Sequence, residues 1–584
     1  MNATCKIPRQ VATALALGGI LTCLTTPAQA RHSHHPQGRT TSDSTTTAGR
    51  VLVAAANPMA AKAGMEVLQR GGSAADAAVA IQSVLGLVEP QSSGVGGGAF
   101  LTYYDARTRK VIAYNGRETA PMGATPDMFT DAGTGRPMPF AEAVVSGRAT
   151  GVPGAFAILA MAQKEHGRLA WRDLFGAAEH LADDGFPAPP RLSQLLYGHY
   201  AENARPDVIA YGQKPGGGRY KLGDTIHNPA YAETLRHLSR EGTAALYSGR
   251  IAAQIVAKTH QDPLAGSLTV ADLAAYRPVK SDALCRPYRV WIVCVPPPPS
   301  SGVNLLEALG ILEHTDIDRR GPTDPRAWLE IAETERLMYA DQAQWVGDPA
   351  FVSVPVKGLI DPDYDASRAQ LIGERAGPPP AAGHPPGSGP VAADATHESA
   401  GTSHFVVVDR WGNVASMTTT VESVFGTGRM VDGFFLNNQL TDFSFAPTDA
   451  NGHASVNAVA PGKRPRSSMA PVIVLDRQGR FVAALGSPGG RAILAYNLKT
   501  LVGVLDWRLS MQQAIALPNL VASGASFFGE VGTFAPGVVT GLEGLGVSLR
   551  GRGGEASGLH GVIMRHGRFD AGADSRRDGV VLTH

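Results

Sequence analysis

The chain has 584 residues, 43% of them hydrophobic, which is ample for a large core. Its 52 lysines and arginines meet 51 aspartates and glutamates, leaving a formal charge of +1. Composition therefore offers no electrostatic case for nucleic acid or an anionic membrane, and the length admits either several domains or one large α/β unit.

Residues 1–30 read as a secretory signal: Lys6 and Arg9 supply the positive start, residues 11–26 are largely apolar, and Ala28-Gln29-Ala30 is a small-x-small cleavage pattern. The apolar stretch is shorter than the ~20 residues a membrane span requires. Lipidation at Cys23 is the second reading, because Thr22 before it is bulkier than the small residue expected there. Residues 31–50 are polar and carry His32, His34 and His35; a solvated, disordered leader is expected rather than a metal site.

The packed region starts near Val51. A helix is predicted over 59–69, stopped at Gly71-Gly72, and Ser73 with Asp76 forms a capping box for a second helix ending near Leu87. The glycine-rich run from Gly94 to Gly98 follows a helix and feeds a strand at 100–104. That is the reverse of a dinucleotide loop, so close backbone packing is the expected role. Arg117 sits in Asn115-Gly116-Arg117-Glu118 after another strand and, taken alone, is one arginine among many. Residues 155–166 and 329–342 look helical.

Cys285 and Cys294 bracket a strand-like run and are the only cysteines left once the signal is removed. In an exported chain a disulfide between them is expected, with two buried thiols as the alternative. Residues 377–400 are rich in Pro, Gly and Ala and read as a flexible linker.

Residues 404–409 read as a strand, 410–413 as a turn, and 414–422 as the returning strand of a hairpin. If Asp409 faces Val414, Thr402 falls opposite Thr420 or Val421. Strand composition alone explains these threonines as β-formers. Further on, Gly486-Ser487-Pro488-Gly489-Gly490 precedes a predicted helix at 491–504. A Gly-x-Ser-x-Gly nucleophile elbow fails there, since Leu485 holds the first glycine position.

Five motifs in one order change the reading of these threonines: Thr402-Ser403-His404-Phe405; Thr418-Thr419-Thr420-Val421-Glu422; Asn437-Asn438-Gln439-Leu440-Thr441-Asp442; Arg464-Pro465-Arg466-Ser467-Ser468; and Gly486 to Gly490. Together they resemble the gamma-glutamyltranspeptidase family of N-terminal nucleophile hydrolases, over nearly all of the chain after Arg50. The resemblance implies an α+β fold, a four-layer αββα sandwich built jointly by two subunits cut from one precursor. The cut falls between Gly401 and Thr402, giving a large subunit ending at 401 and a small one over 402–584.

Thr402 is then the nucleophile and its new α-amine the base, with an ordinary pKa of about 7.7–8.0 that suits this work. Thr420 assists the hydroxyl, and Gly489 and Gly490 form the oxyanion hole. Arg117, Ser467 and Ser468 bind the α-carboxylate of a γ-glutamyl donor; Glu422, Gln439 and Asp442 bind its ammonium. Many family members have asparagine where Glu422 stands, and the stretch 443–463 looks like a short lid with no tyrosine.

The implied activity is transfer of the γ-glutamyl group of glutathione or similar amides to amino acids, peptides or water, in the periplasm or outside the cell, with no cofactor and no metal. The first alternative is an acylase acting on glutaryl-type β-lactam side chains. The second is a non-catalytic binding protein with an intact Gly401–Thr402 bond.

Overall fold

The computed structural model describes residues 45–47, 50–394, 396, 398–399, 401–551 and 557–584. The expected signal, Cys23 and the three leader histidines lie outside these residues.

Two seven-stranded antiparallel sheets are stacked face to face. The first runs β14 (Val580–Thr583), β2 (Leu52–Ala55), β8 (Gly401–Val408), β9 (Val414–Glu422), β3 (Gly98–Asp105), β4 (Lys110–Gly116) and β5 (Val279–Asp282). The second runs β1 (Thr45–Thr47), β13 (Arg568–Ala573), β12 (His560–Arg565), β11 (Phe481–Gly486), β10 (Val472–Asp476), β7 (Trp291–Val295) and β6 (Leu284–Tyr288).

The two-residue period of a strand sorts the core into layers. Leu52, Ala54, Val406 and Val408 point inward and meet Ile473, Leu475 and Ala484 of the second sheet. Their neighbours Val53, Ala55, Phe405 and Val407 point outward, onto α1 (Pro58–Gln69), α2 (Ala74–Val88) and α3 (Ala155–His166). On the far side, Val472 and Val474 pack against α4 (Gly302–Leu312), α5 (Pro325–Trp345) and α6 (Ile493–Leu505). This is the αββα sandwich that the sequence leads one to expect.

Helix starts follow local chemistry. Asn57 caps α1, with Pro58 at its first position, and Ser73 and Asp76 form the predicted reciprocal box at α2. Gly97 packs so closely on β9 that a Cβ would collide with the Thr420 carbonyl, so the glycine run serves backbone packing.

Three expectations change. Part of the supposed disordered leader, Thr45–Thr47, is an edge strand paired with Phe569–Ala571. The run between the cysteines is a hairpin, not one strand: β6 and β7 turn at Arg289, which takes a left-handed φ of 54°. Cys285 and Cys294 face each other across it and are disulfide-bonded, with α-carbons 4.1 Å apart. Finally, the described residues of the Pro/Gly-rich stretch before Thr402 form no helix or strand but are pinned. Gly383 N–H donates to Asp341 (2.7 Å), Trp345 Nε1 donates to the Gly383 carbonyl (3.1 Å), and Ala392 bridges to Ser455.

Candidate active site

Strand parity brings the candidate nucleophile inward. Thr402 lies two pleats before Val406 on the inner face, and Thr420 is its direct partner on β9. Ser403 points the other way, donating to Glu89 at the end of α2 (2.6 Å). A bulge follows: Gly401 pairs with Glu422 rather than Val421, and Glu422 takes a left-handed φ of 82°. The expected pairing, Thr402 opposite Thr420 or Val421, is resolved to Thr420.

The bulge draws three groups onto one hydroxyl. Thr402 Oγ1 donates to Thr420 Oγ1 (3.3 Å), Thr420 Oγ1 donates to the Gly401 carbonyl (2.6 Å), and Glu422 N–H donates to Thr420 Oγ1 (2.7 Å). Arg577 holds the Thr402 carbonyl from behind (2.9 Å). The carbonyl next to the candidate nucleophile is thus polarised by a hydroxyl that is itself within reach of that nucleophile. Gly489 and Gly490 stand at the start of the short turn before α6, both with positive φ. A Cβ on Gly490 would strike the Ser399 carbonyl, so Gly490 faces the segment leading into Thr402, whereas Gly489 lies against Tyr496.

A second cluster lies beside the first. Arg117 is fully buried and makes an ion pair with Asp442, while its Nε donates to the Pro465 carbonyl (3.1 Å) and another nitrogen to the Arg466 carbonyl (2.6 Å). Sequence reasoning sets Arg117 and Asp442 at opposite ends of a ligand; here they touch. Gln439 Nε2 bridges two carboxylates, Asp442 (2.8 Å) and Glu422. Burial, and then the neighbouring Asp442, pushes the Glu422 carboxyl well above the usual range. A cation entering here would relieve that crowding.

Ser467 is held by backbone bonds, accepting from Ser301 N–H (2.7 Å) and donating its own N–H to Pro299 (2.9 Å). Ser468 Oγ accepts from Gln342 (3.0 Å), and Ser468 N–H donates to the Glu398 carboxylate (3.2 Å). Thr402, Thr420 and Glu422 join in the first cluster and Arg117, Glu422, Gln439 and Asp442 in the second, while Ser468 and Gly490 meet the segment that leads into Thr402. Gly489 lies against Tyr496, and Ser467 is held by its backbone against Pro299 and Ser301.

Sequence reasoning missed three residues. Glu398 lay in a stretch read as linker. Asn457 donates to Asp394 (2.8 Å) and to the Asp442 carbonyl (2.6 Å), fastening the 443–463 loop to the pocket floor. That loop is also packed by Phe443 and by Phe445, whose ring lies 4.6 Å from that of Phe129. Glu118 is fully buried 3.6 Å from Arg117. Only its adjacency to Arg117 in sequence pointed to it.

Burial pushes the Glu118 carboxyl up to about 8, despite Arg117. Below that pH Glu118 is neutral, and a ligand carboxylate shares the Arg117 charge with Asp442 alone. Above it, a second anion competes for Arg117 and repels the ligand. KM for a carboxylate-bearing substrate is therefore expected to rise roughly tenfold between pH 7 and 9, while Glu118→Gln flattens the rise. Parallel KM–pH profiles in the two proteins would refute this assignment.

No group of three or more metal-ligating side chains occurs among the described residues, and no helix among them is long and apolar enough to cross a membrane.

The sequence profile of the gamma-glutamyltranspeptidase family matches residues 60–584. The glutathione hydrolase proenzyme of Bacillus subtilis strain 168 is 37% identical over 550 residues, covering 91% of each chain. The acylase ACY 1 proenzyme of Pseudomonas sp. strain V22 is 34% identical over 485 residues, 82% of this chain and 83% of its own. Among solved structures, the cephalosporin acylase from Bacillus halodurans superposes with a TM-score of 0.79 at 25% identity, covering 95% of this chain and 99% of its own.

Proposed function

The chain belongs to the gamma-glutamyltranspeptidase family, and from that premise we propose that it is a self-cleaving γ-glutamyltransferase and glutathione hydrolase whose nucleophile is Thr402. One observation carries the reading: the Thr402 hydroxyl, the Thr420 hydroxyl and the Gly401 carbonyl form one hydrogen-bonded relay.

Maturation proceeds by attack of Thr402 Oγ1 on the Gly401 carbonyl carbon. The C–N bond between the two residues breaks, the hydroxyl proton ends on the departing amine, and Gly401 is left as an ester on Thr402. Water hydrolyses that ester, releasing a Gly401 carboxylate and a Thr402 bearing a free amine. The large and small subunits then stay together.

In turnover the amine takes the hydroxyl proton as Oγ1 attacks the γ-carbonyl of the donor. The leaving amine receives that proton, and a γ-glutamyl ester remains. Water or an acceptor amine next attacks the ester and restores the hydroxyl. Gly489 and Gly490 would stabilise both oxyanions with backbone N–H groups. Arg117, Ser467 and Ser468 would take the α-carboxylate, and Asp442, Glu422 and Gln439 the ammonium.

We place the protein in the periplasm or outside the cell. The signal-like residues 1–30 and the Cys285–Cys294 disulfide support that location.

The acylase relatives favour a second reading, cleavage of glutaryl-type side chains that carry no ammonium. The buried Glu422 argues against it, because Asp442 already has Arg117 as its counter-ion while a glutaryl group brings no cation to Glu422. Side-by-side hydrolysis of a γ-glutamyl anilide and a glutaryl anilide separates the two. The γ-glutamyl compound is expected to react about a hundredfold faster in kcat/KM. Preference for the glutaryl compound would establish the acylase instead.

A further inference from the structure

Glu398 is nine-tenths buried, three residues before the expected cut, and belongs to neither cluster by sequence. Its carboxylate accepts from Ser468 N–H at 3.2 Å and lies 3.5 Å from Arg466 Nε. Arg466 is in turn anchored to Asp394 at 3.0 Å. The neighbouring Ser399 extends the same seating. Its N–H donates to Glu422 Oε1 (2.8 Å), its hydroxyl meets that of Ser423 (2.9 Å), and its carbonyl lies against Gly490.

Glu398 thus places a carboxylate on one of the groups assigned above to a donor's α-carboxylate, while Ser399 places an N–H donor on the group assigned to the donor's ammonium. The segment entering the cut occupies the pocket as a donor would. It is held at both charge poles, with its carbonyls over the turn proposed as the oxyanion hole.

We propose that Glu398 is a positioning residue for self-cleavage: it docks its carboxylate in the donor's carboxylate subsite and so fixes the Gly401 carbonyl beside Thr402 and Thr420. This rests on the donor-site reading given above. One subsite then serves two successive occupants, first a side chain of the protein itself and later the substrate. Free chain in this region would sample many conformers; a charge-assisted anchor three residues away removes most of them. The same docking makes the segment a competitor of the substrate until its new end departs.

The test follows cleavage of the full chain, pulse-labelled, desalted and chased, on a denaturing gel. Glu398→Gln is expected to slow appearance of the two fragments about tenfold or more, the loss of one charge-assisted hydrogen bond at a buried site. Glu398→Asp should recover part of the rate. Free L-glutamate at millimolar concentration should slow the unsubstituted chain several-fold, whereas L-lysine should not, because only glutamate brings a competing α-amino dicarboxylate. Melting of Glu398→Gln in a Thr402→Ala background checks that the uncut fold is retained.

Cleavage of Glu398→Gln at the unsubstituted rate, or indifference of the unsubstituted chain to L-glutamate, would overturn the proposal. Failure of the wider functional reading looks different: Thr402→Ala would still be cut, or the processed protein would release no γ-glutamyl product.

Discussion

Thr402→Ala is expected to remain a single uncut chain with no detectable transfer or hydrolysis. In the proposed mechanism the residue supplies both the attacking oxygen for maturation and, once cut, the oxygen and amine for turnover, so one substitution is expected to remove both reactions. The residual rate should lie about 10⁵–10⁶-fold below that of the unsubstituted protein. Thr402→Ser keeps an attacking oxygen and is expected to cut, more slowly. Thr420→Ala is the finer probe. Its hydroxyl contacts both Thr402 Oγ1 and the Gly401 carbonyl, so cleavage should slow by about 10²–10³-fold, the usual cost of one donor to a developing oxyanion. Two fragments at full yield from Thr402→Ala, read on a gel and by N-terminal sequencing, would remove Thr402 from the mechanism.

The second large effect is expected at the buried ion pair. Arg117→Ala or Asp442→Ala removes a charge assigned to donor binding and also strands the other partner, since both are almost wholly buried. Donor binding should weaken by ~2–5 kcal/mol, seen in KM. Fold stability should fall by about 3–5 kcal/mol, because an unpaired buried charge remains. The double replacement by alanine should regain much of the stability and none of the binding, which separates the two roles. Neither side chain contacts the Gly401 carbonyl, so both single variants should still yield two fragments. Unchanged KM in either would dissolve the assignment.

The parts of this protein visible in its sequence are those set by short-range rules. The capping box at Ser73 and Asp76, and the hairpin that puts Thr402 opposite Thr420, follow from residue type and a two-residue period, and both are found. What stayed hidden depends on approach across long separations. Glu398 and Ser468 are neighbours only because the pre-cleavage segment folds back over the pocket. Its Pro/Gly-rich composition advertises the lack of regular structure but says nothing of the side chains that pin it.

The turn at Arg289 was missed for a different reason. A hairpin normally announces itself with Gly, Asn or Asp at such a position, and here an arginine takes the left-handed conformation. The direct contact of Arg117 with Asp442 is likewise a matter of two loops meeting. Family order could nominate both residues but not their separation.

The strand order carries one more consequence. Cut between Gly401 and Thr402, the large fragment keeps β2, β3, β4 and β5 of the first sheet, and the small one keeps β14, β8 and β9, so the strands of the two fragments interleave within the sheet. Pulling them apart would break the β2–β14, β2–β8 and β9–β3 ladders together. The denatured state, however, is now two independent molecules with translational freedom that the uncut chain lacked, so folding becomes second order and its midpoint depends on concentration. Before the cut, the chain can unfold and return. Afterwards its persistence is governed by the height of the barrier to escape, and an unfolded molecule is in practice a lost one.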